Sequence, residues 1–255
     1  MPIYEGISLI TSGLPVRPIC SVRLERMLLS SDSMDTIVEH LLGRETGSSS
    51  LVPIGMKPKF VDVYFSADVE TDGPIPGPFS MLSLGLVFAG AFDGETFSRP
   101  NDYSQSFYRE FRPISDDFEI DALKVNGLDR DLLLREGSLP EIAMNEASQW
   151  VRMLAGGGRP VLVAYPLSFD WSFLYWYFIR FSVDGSPFKY SQCFDIKTAY
   201  AVKAHIPISA AGRSNLVPSL RSHAVHSHNA LEDAIEQAQI FANLFEWDGK
   251  NGKSH

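Results

Sequence analysis

Cysteine is nearly absent: the 255 residues contain two, Cys20 and Cys193. Two cysteines make neither a disulfide framework nor a zinc site of the usual spacing, and they suit a reducing compartment. A cytoplasmic protein is expected. The opening residues, Met1-Pro2-Ile3-Tyr4-Glu5, lack the basic segment of a secretory signal. Long apolar runs are missing too. The longest, Trp171 to Ile179, is closed by Asp170 and Arg180 and is too short to span a bilayer, so no membrane partner is expected. Positive charge is scarce, with 22 Lys and Arg against 31 Asp and Glu and a net charge of −9. That argues against a large non-specific footprint on duplex nucleic acid, which needs a basic surface. It leaves room for a short single strand whose phosphates meet metal ions.

What is present is a globular composition. Hydrophobic residues make up 45% and charged residues 21%. A chain of this length carries one sizeable core, with room for a small appendage. No internal repeat is visible.

The first 57 residues differ from the rest. Ser33 to Leu42 has helical spacing, with Met34, Ile37, Val38, Leu41 and Leu42 apolar and Asp32 or Ser33 as a cap. Gly43 to Ser50 reads as a flexible linker. An N-terminal extension over 1–57 is expected, loosely packed or serving as a docking arm. Residues 58–248 form the main domain, and 249–255 a disordered tail.

Within the main domain, Phe60 to Phe65 is an apolar run typical of a buried strand. Met81 to Phe92 and Gln105 to Phe111 read as two more strands of a meander. Asp116 to Val125 is weakly helical. Leu139 to Leu154 is a better helix, with Ile142, Ala143, Ala147, Trp150, Val151 and Leu154 on one face. Gly156-Gly157-Gly158 reads as its cap and loop. Val161 to Ala164 is a short strand, and Phe169 to Phe181 a helix with Ser168 as cap. Ser191 to Ile196 is the last strand and Leu231 to Phe245 the last helix. This order suggests an α/β domain with a mixed sheet and helices on its faces.

Chemistry concentrates in three places. The first strand ends in Asp68-Val69-Glu70-Thr71, and side chains two apart leave a strand on the same face. Two adjacent carboxylates are costly unless a cation lies between them, and hard divalent ions take oxygen ligands. Such triplets are also common as solvated turn residues. The second place is Asp170, just after a buried strand and in the first turn of an apolar helix, where the helix dipole alone would favour an acid. The aromatics that follow, from Trp171 to Phe178, fit a core better than a base-stacking platform. The third place is His228 with Asp233, a histidine in the loop entering the last helix and an acid one turn in. His223 and His226 lie nearby, but a zinc cluster is disfavoured because no cysteine accompanies them.

Together, Asp68-Val69-Glu70-Thr71, Phe169-Asp170 and His228-Asn229-Ala230-Leu231-Glu232-Asp233-Ala234 resemble the three motifs of the DEDDh (DnaQ-like) 3′-5′ exonucleases. The spacing from histidine to acid in the third motif is the most specific feature. Val125-Asn126-Gly127-Leu128 is similar to a small turn of the same family. The resemblance covers about residues 58–248. It implies a ribonuclease H-like fold, a five-stranded mixed sheet flanked by helices. It implies Asp68, Glu70, Asp170 and Asp233 as metal ligands, His228 as general base, and Val69, Thr71 and Phe169 as substrate contacts. One departure stands out: Tyr165 and Pro166 occupy the place where many members carry a His-Asn pair.

The expected chemistry is phosphodiester hydrolysis. Two divalent ions about 3.5–4 Å apart can activate water, neutralise the phosphate and stabilise the leaving oxygen. Mg²⁺ suits all-oxygen ligands and Mn²⁺ is a natural substitute. Neutral histidine can accept the proton of the attacking water. The family implies attack at a free 3′ end of single-stranded DNA or RNA, or of a short oligonucleotide, with release of nucleoside 5′-monophosphates. Two rivals stay open: a metal phosphohydrolase acting on nucleotides or dinucleotides, and an exonuclease-fold binding module in a larger complex. The oligomeric state is open as well, a homodimer included.

Overall fold

A computed structural model describes residues 61–223 and 227–249 of the chain. The expected extension over 1–57, Phe60, His226 and residues 250–255 of the expected tail lie outside the described residues.

The sheet is built around β1 (Asp62–Thr71). β2 (Met81–Phe92) runs antiparallel to it, from Asp62 opposite Phe92 to Thr71 opposite Met81. β3 (Phe97–Ser98) and β4 (Ser106–Glu110) both pair with β2 in antiparallel fashion. On the other side β5 (Arg159–Ala164) lies parallel to β1, and β6 (Cys193–Asp195) parallel to β5. The order is β3-β2-β1-β5-β6, with β4 also on β2. The sheet is mixed, as expected, and has six strands where five are read from the sequence. The extra one is β3, two residues long, too short to show any periodicity.

Six α-helices lie among the described residues. They are α1 (Ile120–Asn126), α2 (Arg130–Glu136), α3 (Pro140–Ala155), α4 (Leu167–Phe181), α5 (Ile196–Ala204) and α6 (Ala230–Glu246). α2 and α5 are not anticipated from apolar spacing. Each is started by an aspartate cap: Asp129 accepts from Leu132 N at 3.0 Å, and Asp195 from Thr198 N at 2.6 Å. Ile196, expected as the end of a strand, is the first residue of α5.

Two helix details differ from expectation. α4 begins at Leu167, so Ser168 lies inside it and does not cap it. The free N–H of Leu167 is instead taken by Asp195 Oδ2 at 2.6 Å, a partner 28 residues away. On α3, Ala143, Ala147 and Val151 are buried but Ile142 is 55% exposed. α3 ends at Gly156, in the left-handed conformation with φ 54°, as a simple cap.

β1 is covered on both faces, and alternation along it sorts the two cores. Val63, Phe65, Ala67 and Val69 point into a cluster with Ala147 and Val151 of α3 and Phe173 and Tyr177 of α4. Tyr64 points into the opposite cluster, with Ala234, Ala238 and Phe241 of α6. Asp68 and Glu70 share the parity of Tyr64, so they leave the strand on the α6 side. Of the α4 aromatics, Phe173, Tyr177 and Phe178 are core and Trp171 and Trp176 pack against it, whereas Tyr175 is exposed. No helix among the described residues is long and apolar enough to cross a membrane.

Candidate active site

The end of β1 meets the starts of α4 and α6. Asp68 is buried, with Gln237 Nε2 of α6 donating to its Oδ1 at 2.6 Å. Glu70, two residues on, is half-buried. Asp170, in the first turn of α4, is buried, and its Oδ1 accepts from the backbone N of Val69 at 3.1 Å. That bond ties the second acidic segment to the first.

Asp233 is fully buried in the first turn of α6. Its two carboxylate oxygens accept from the backbone of the preceding loop, Oδ1 from Ser227 N at 2.8 Å and Oδ2 from His228 N at 2.9 Å. His228 has φ 57°, a left-handed conformation uncommon outside glycine. The hydrogen bond to Asp233 helps to hold it there. Asn229 caps the helix, accepting from Leu231 N at 3.1 Å and Glu232 N at 3.2 Å. The acid and the histidine are thereby locked in register before any ligand arrives.

α6 reaches the sheet because β2 gives way beneath it. Gly85 lies opposite Asp68 in the β1–β2 ladder. A Cβ there would sit 2.2 Å from the carbonyl oxygen of Ala230. Only glycine permits this close approach.

The carboxylates repel one another. Burial is the largest cause that raises Asp68 well above the usual carboxylate range, followed by the charges of Asp170, Glu70 and Asp233. Burial and the charges of Asp233 and Asp170 push Glu70 up to about 8. Asp170 rises to about 7, mainly by burial, against the lowering effect of the Val69 N–H. Such a group is relieved by a cation. The donor set fits one: ligand atoms of Glu70, His228 and Asp233 lie within 4.8 Å of one another. His223 is not part of that group, and His226 lies outside the described residues.

A cavity of about 380 Å³ opens over these residues. Asp68, Val69, Glu70, Phe169, Asp170 and His228 line it. Asp233 lies beneath, bonded to the His228 loop. Phe169 is 40% exposed at the cavity wall. Thr71 is buried away from the cavity, its hydroxyl donating to the Gly73 carbonyl at 2.8 Å.

The 3′-5′ DNA exonuclease Cap18 of Escherichia coli is 33% identical over 181 residues, which are 71% of this chain and 90% of that protein. The chain belongs to the DEDDh family of 3′-5′ exonucleases. It is a hydrolase acting on phosphodiester bonds. No family model matches it. Among solved structures, the nuclease domain of 3′hExo, a DEDDh member bound to rAMP, has a TM-score of 0.54 at 13% identity. That match covers 74% of this chain and 93% of the other. A 3′-exonuclease that recognises the 3′ end of a histone mRNA stem-loop has a TM-score of 0.53 at 10% identity. It covers 75% of this chain, which spans 66% of that protein. At such identities the likeness concerns the fold, and the ribonuclease H-like α/β architecture expected from the motifs is the one observed.

Three side chains of this exonuclease escape a reading by motif. Gln237 is one, although it stands four residues after Asp233 on the same helix face, which is a usable signal. Lys197 and Arg213 are the others, both lining the cavity. They come from α5 and from the loop after it, where no apolar pattern marks a site.

Proposed function

We propose that the chain is a metal-dependent exonuclease that removes nucleotides from free 3′ ends of single-stranded nucleic acid. The observation that carries this reading is the meeting of Asp68, Glu70 and Asp170 around one cavity, with Asp233 beneath it and His228 at its edge. Asp68, Glu70, Asp170 and Asp233 would hold two divalent ions, Mg²⁺ or in its place Mn²⁺. Ions bound there supply the positive charge that lets the carboxylates ionise together and that offsets charge building on the phosphate.

The remaining work falls to the chain itself. His228 is exposed at the cavity edge, and its imidazole takes the proton of the attacking water. The water oxygen bonds to phosphorus as the bond from phosphorus to the O3′ of the preceding nucleotide breaks. The departing O3′ takes a proton from solvent, giving a nucleoside 5′-monophosphate and a strand one nucleotide shorter with a free 3′-hydroxyl. Phe169 offers a face for the terminal base, and Val69 packs beside it at the cavity wall. DNA is the preferred polymer, since the 33%-identical relative bears the name of a DNA exonuclease. A cytoplasmic setting agrees with the sparse cysteine content.

The test is cleavage of 5′-labelled single strands with Mg²⁺ or Mn²⁺. Stepwise shortening from the 3′ end, blocked by a 3′ cap and abolished by chelator, is expected. Cutting inside a closed circle, shortening from the 5′ end, or full activity in excess chelator would each overturn the reading. Hydrolysis of free nucleotides with intact strands would favour the phosphohydrolase alternative.

A further inference from the structure

We propose that Lys197 and Arg213 bind the phosphate next upstream of the scissile one, so that the site selects oligonucleotides over single nucleotides. The inference rests on the exonuclease reading above and deepens it.

The active-site cavity has two chemical characters. Asp68, Glu70 and Asp170 line it together with Lys197 and Arg213. In a chain with a net charge of −9, two cations in one cavity mark a place for an anion. Lys197 sits in the first turn of α5, directly after β6. β6 is two strands from β1, roughly 10 Å across the sheet at ordinary strand spacing. That separation sets the Lys197 backbone apart from Asp68 and Glu70 on β1, with its amino group within reach of a neighbouring phosphate along a strand.

Lys197 is not consumed by a structural role. Among the described residues no carboxylate pairs with it. The nearest acid in sequence, Asp195, is engaged by two backbone N–H groups, those of Leu167 and Thr198, at 2.6 Å each. The amino group is thus left to the cavity, at a helix N-terminus where an anion is favoured.

Arg213 is fixed in place. Its Nη1 donates to Glu236 Oε2 at 2.9 Å and its Nη2 to the Tyr165 carbonyl at 3.1 Å. Its guanidinium lies over the Tyr165 ring, 5.5 Å from the centroid. Tyr165 is itself held by its hydroxyl, which donates to the Ala211 carbonyl at 2.9 Å. Tyr165 stands where many family members carry the histidine of a His-Asn pair. Here that position builds a platform for an arginine at the cavity wall.

The experiment compares two trinucleotides with free 3′ ends, in Mg²⁺, for the wild type and Lys197→Met. One is all-phosphate; the other carries a neutral methylphosphonate at the linkage between its first and second nucleotides. For the wild type, the neutral linkage should lower kcat/KM roughly tenfold or more, the scale of a lost charge-assisted hydrogen bond, mostly through KM. Lys197→Met should show a similar loss on the all-phosphate trinucleotide and little further loss on the other. Lys197→Arg, which keeps the charge, should restore most of the difference between the substrates. Persistence of the full difference in Lys197→Met, or its absence in the wild type, overturns the proposal. A wild type that cleaves neither trinucleotide nor longer strands refutes instead the exonuclease reading beneath it.

Discussion

Gln237 of the last helix donates its side-chain N–H to Asp68 at the end of the first strand, at 2.6 Å, with both side chains buried. The pair spans 169 residues of sequence. It fixes which oxygen of Asp68 faces α6 and leaves Oδ2 for the cavity. Gln237→Leu removes the donor beside a buried carboxylate, a loss of about 1–3 kcal/mol. The expected result is a higher Mg²⁺ concentration for half-maximal activity and a smaller rise in melting temperature on adding Mg²⁺. Unchanged values for both would mean that Gln237 is packing material only.

His228 and Asp233 are predicted to fail differently. His228→Ala removes a proton acceptor, so turnover should fall roughly 10²–10⁴-fold while divalent ions still raise the melting temperature. Asp233→Asn weakens the metal cradle and also replaces one of the two oxygens that hold Ser227 and His228. It should lose rate, metal-induced stabilisation and some intrinsic stability together. His223→Ala is the control and should keep turnover per folded molecule. A normal rate in His228→Ala would remove the general-base assignment.

Gly85 sets the distance between β2 and α6. In Gly85→Ala the new methyl group meets the Ala230 carbonyl, 2.2 Å away before any relaxation. Overpacking of this kind costs about 1–3 kcal/mol, and relief requires the helix that carries Asp233 to move. Chemical denaturation should show lower stability, and activity per folded molecule should fall as well. Full activity with lowered stability would indicate that the strain is absorbed elsewhere.

The crowded acids predict a pH dependence of the metal-free protein. Glu70 rises from 4.5 to about 8 and Asp170 from 3.8 to about 7, so each binds its proton more tightly folded than unfolded. The folded state then holds more protons than the unfolded one between the two values. Stability contributed by these groups is present at low pH and is lost as pH rises through that window. In chelator, the melting temperature should drop between about pH 5 and 8. Added Mg²⁺ should reverse most of the drop at the upper end. A flat profile in chelator would show that burial does not raise the proton affinity of Glu70 and Asp170.

Much of this protein is determined by local sequence. The alternation of Val63, Phe65, Ala67 and Val69 against Asp68 and Glu70 dictates a two-faced buried strand ending in paired acids, because strand side chains alternate. The long apolar period of α6 and the Asn229 cap dictate where the last helix begins, and so place Asp233 one turn inside it. Short elements are less legible. β3 has two residues, and α2 and α5 rest on single aspartate caps, so their signals are weaker than those of ordinary loops.

What tertiary structure decided is mostly a matter of distance between segments far apart in sequence. Asp195 caps α4 across 28 residues, and Gly85 lets α6 settle over the sheet opposite Asp68. Arg213 is turned toward the cavity by Glu236 and Tyr165, which no local pattern links to it. Local sequence encodes periodicity and caps through nearest neighbours. The orientation of a side chain in a site is set by partners that packing brings together, and those partners exist only once the sheet and its helices have closed.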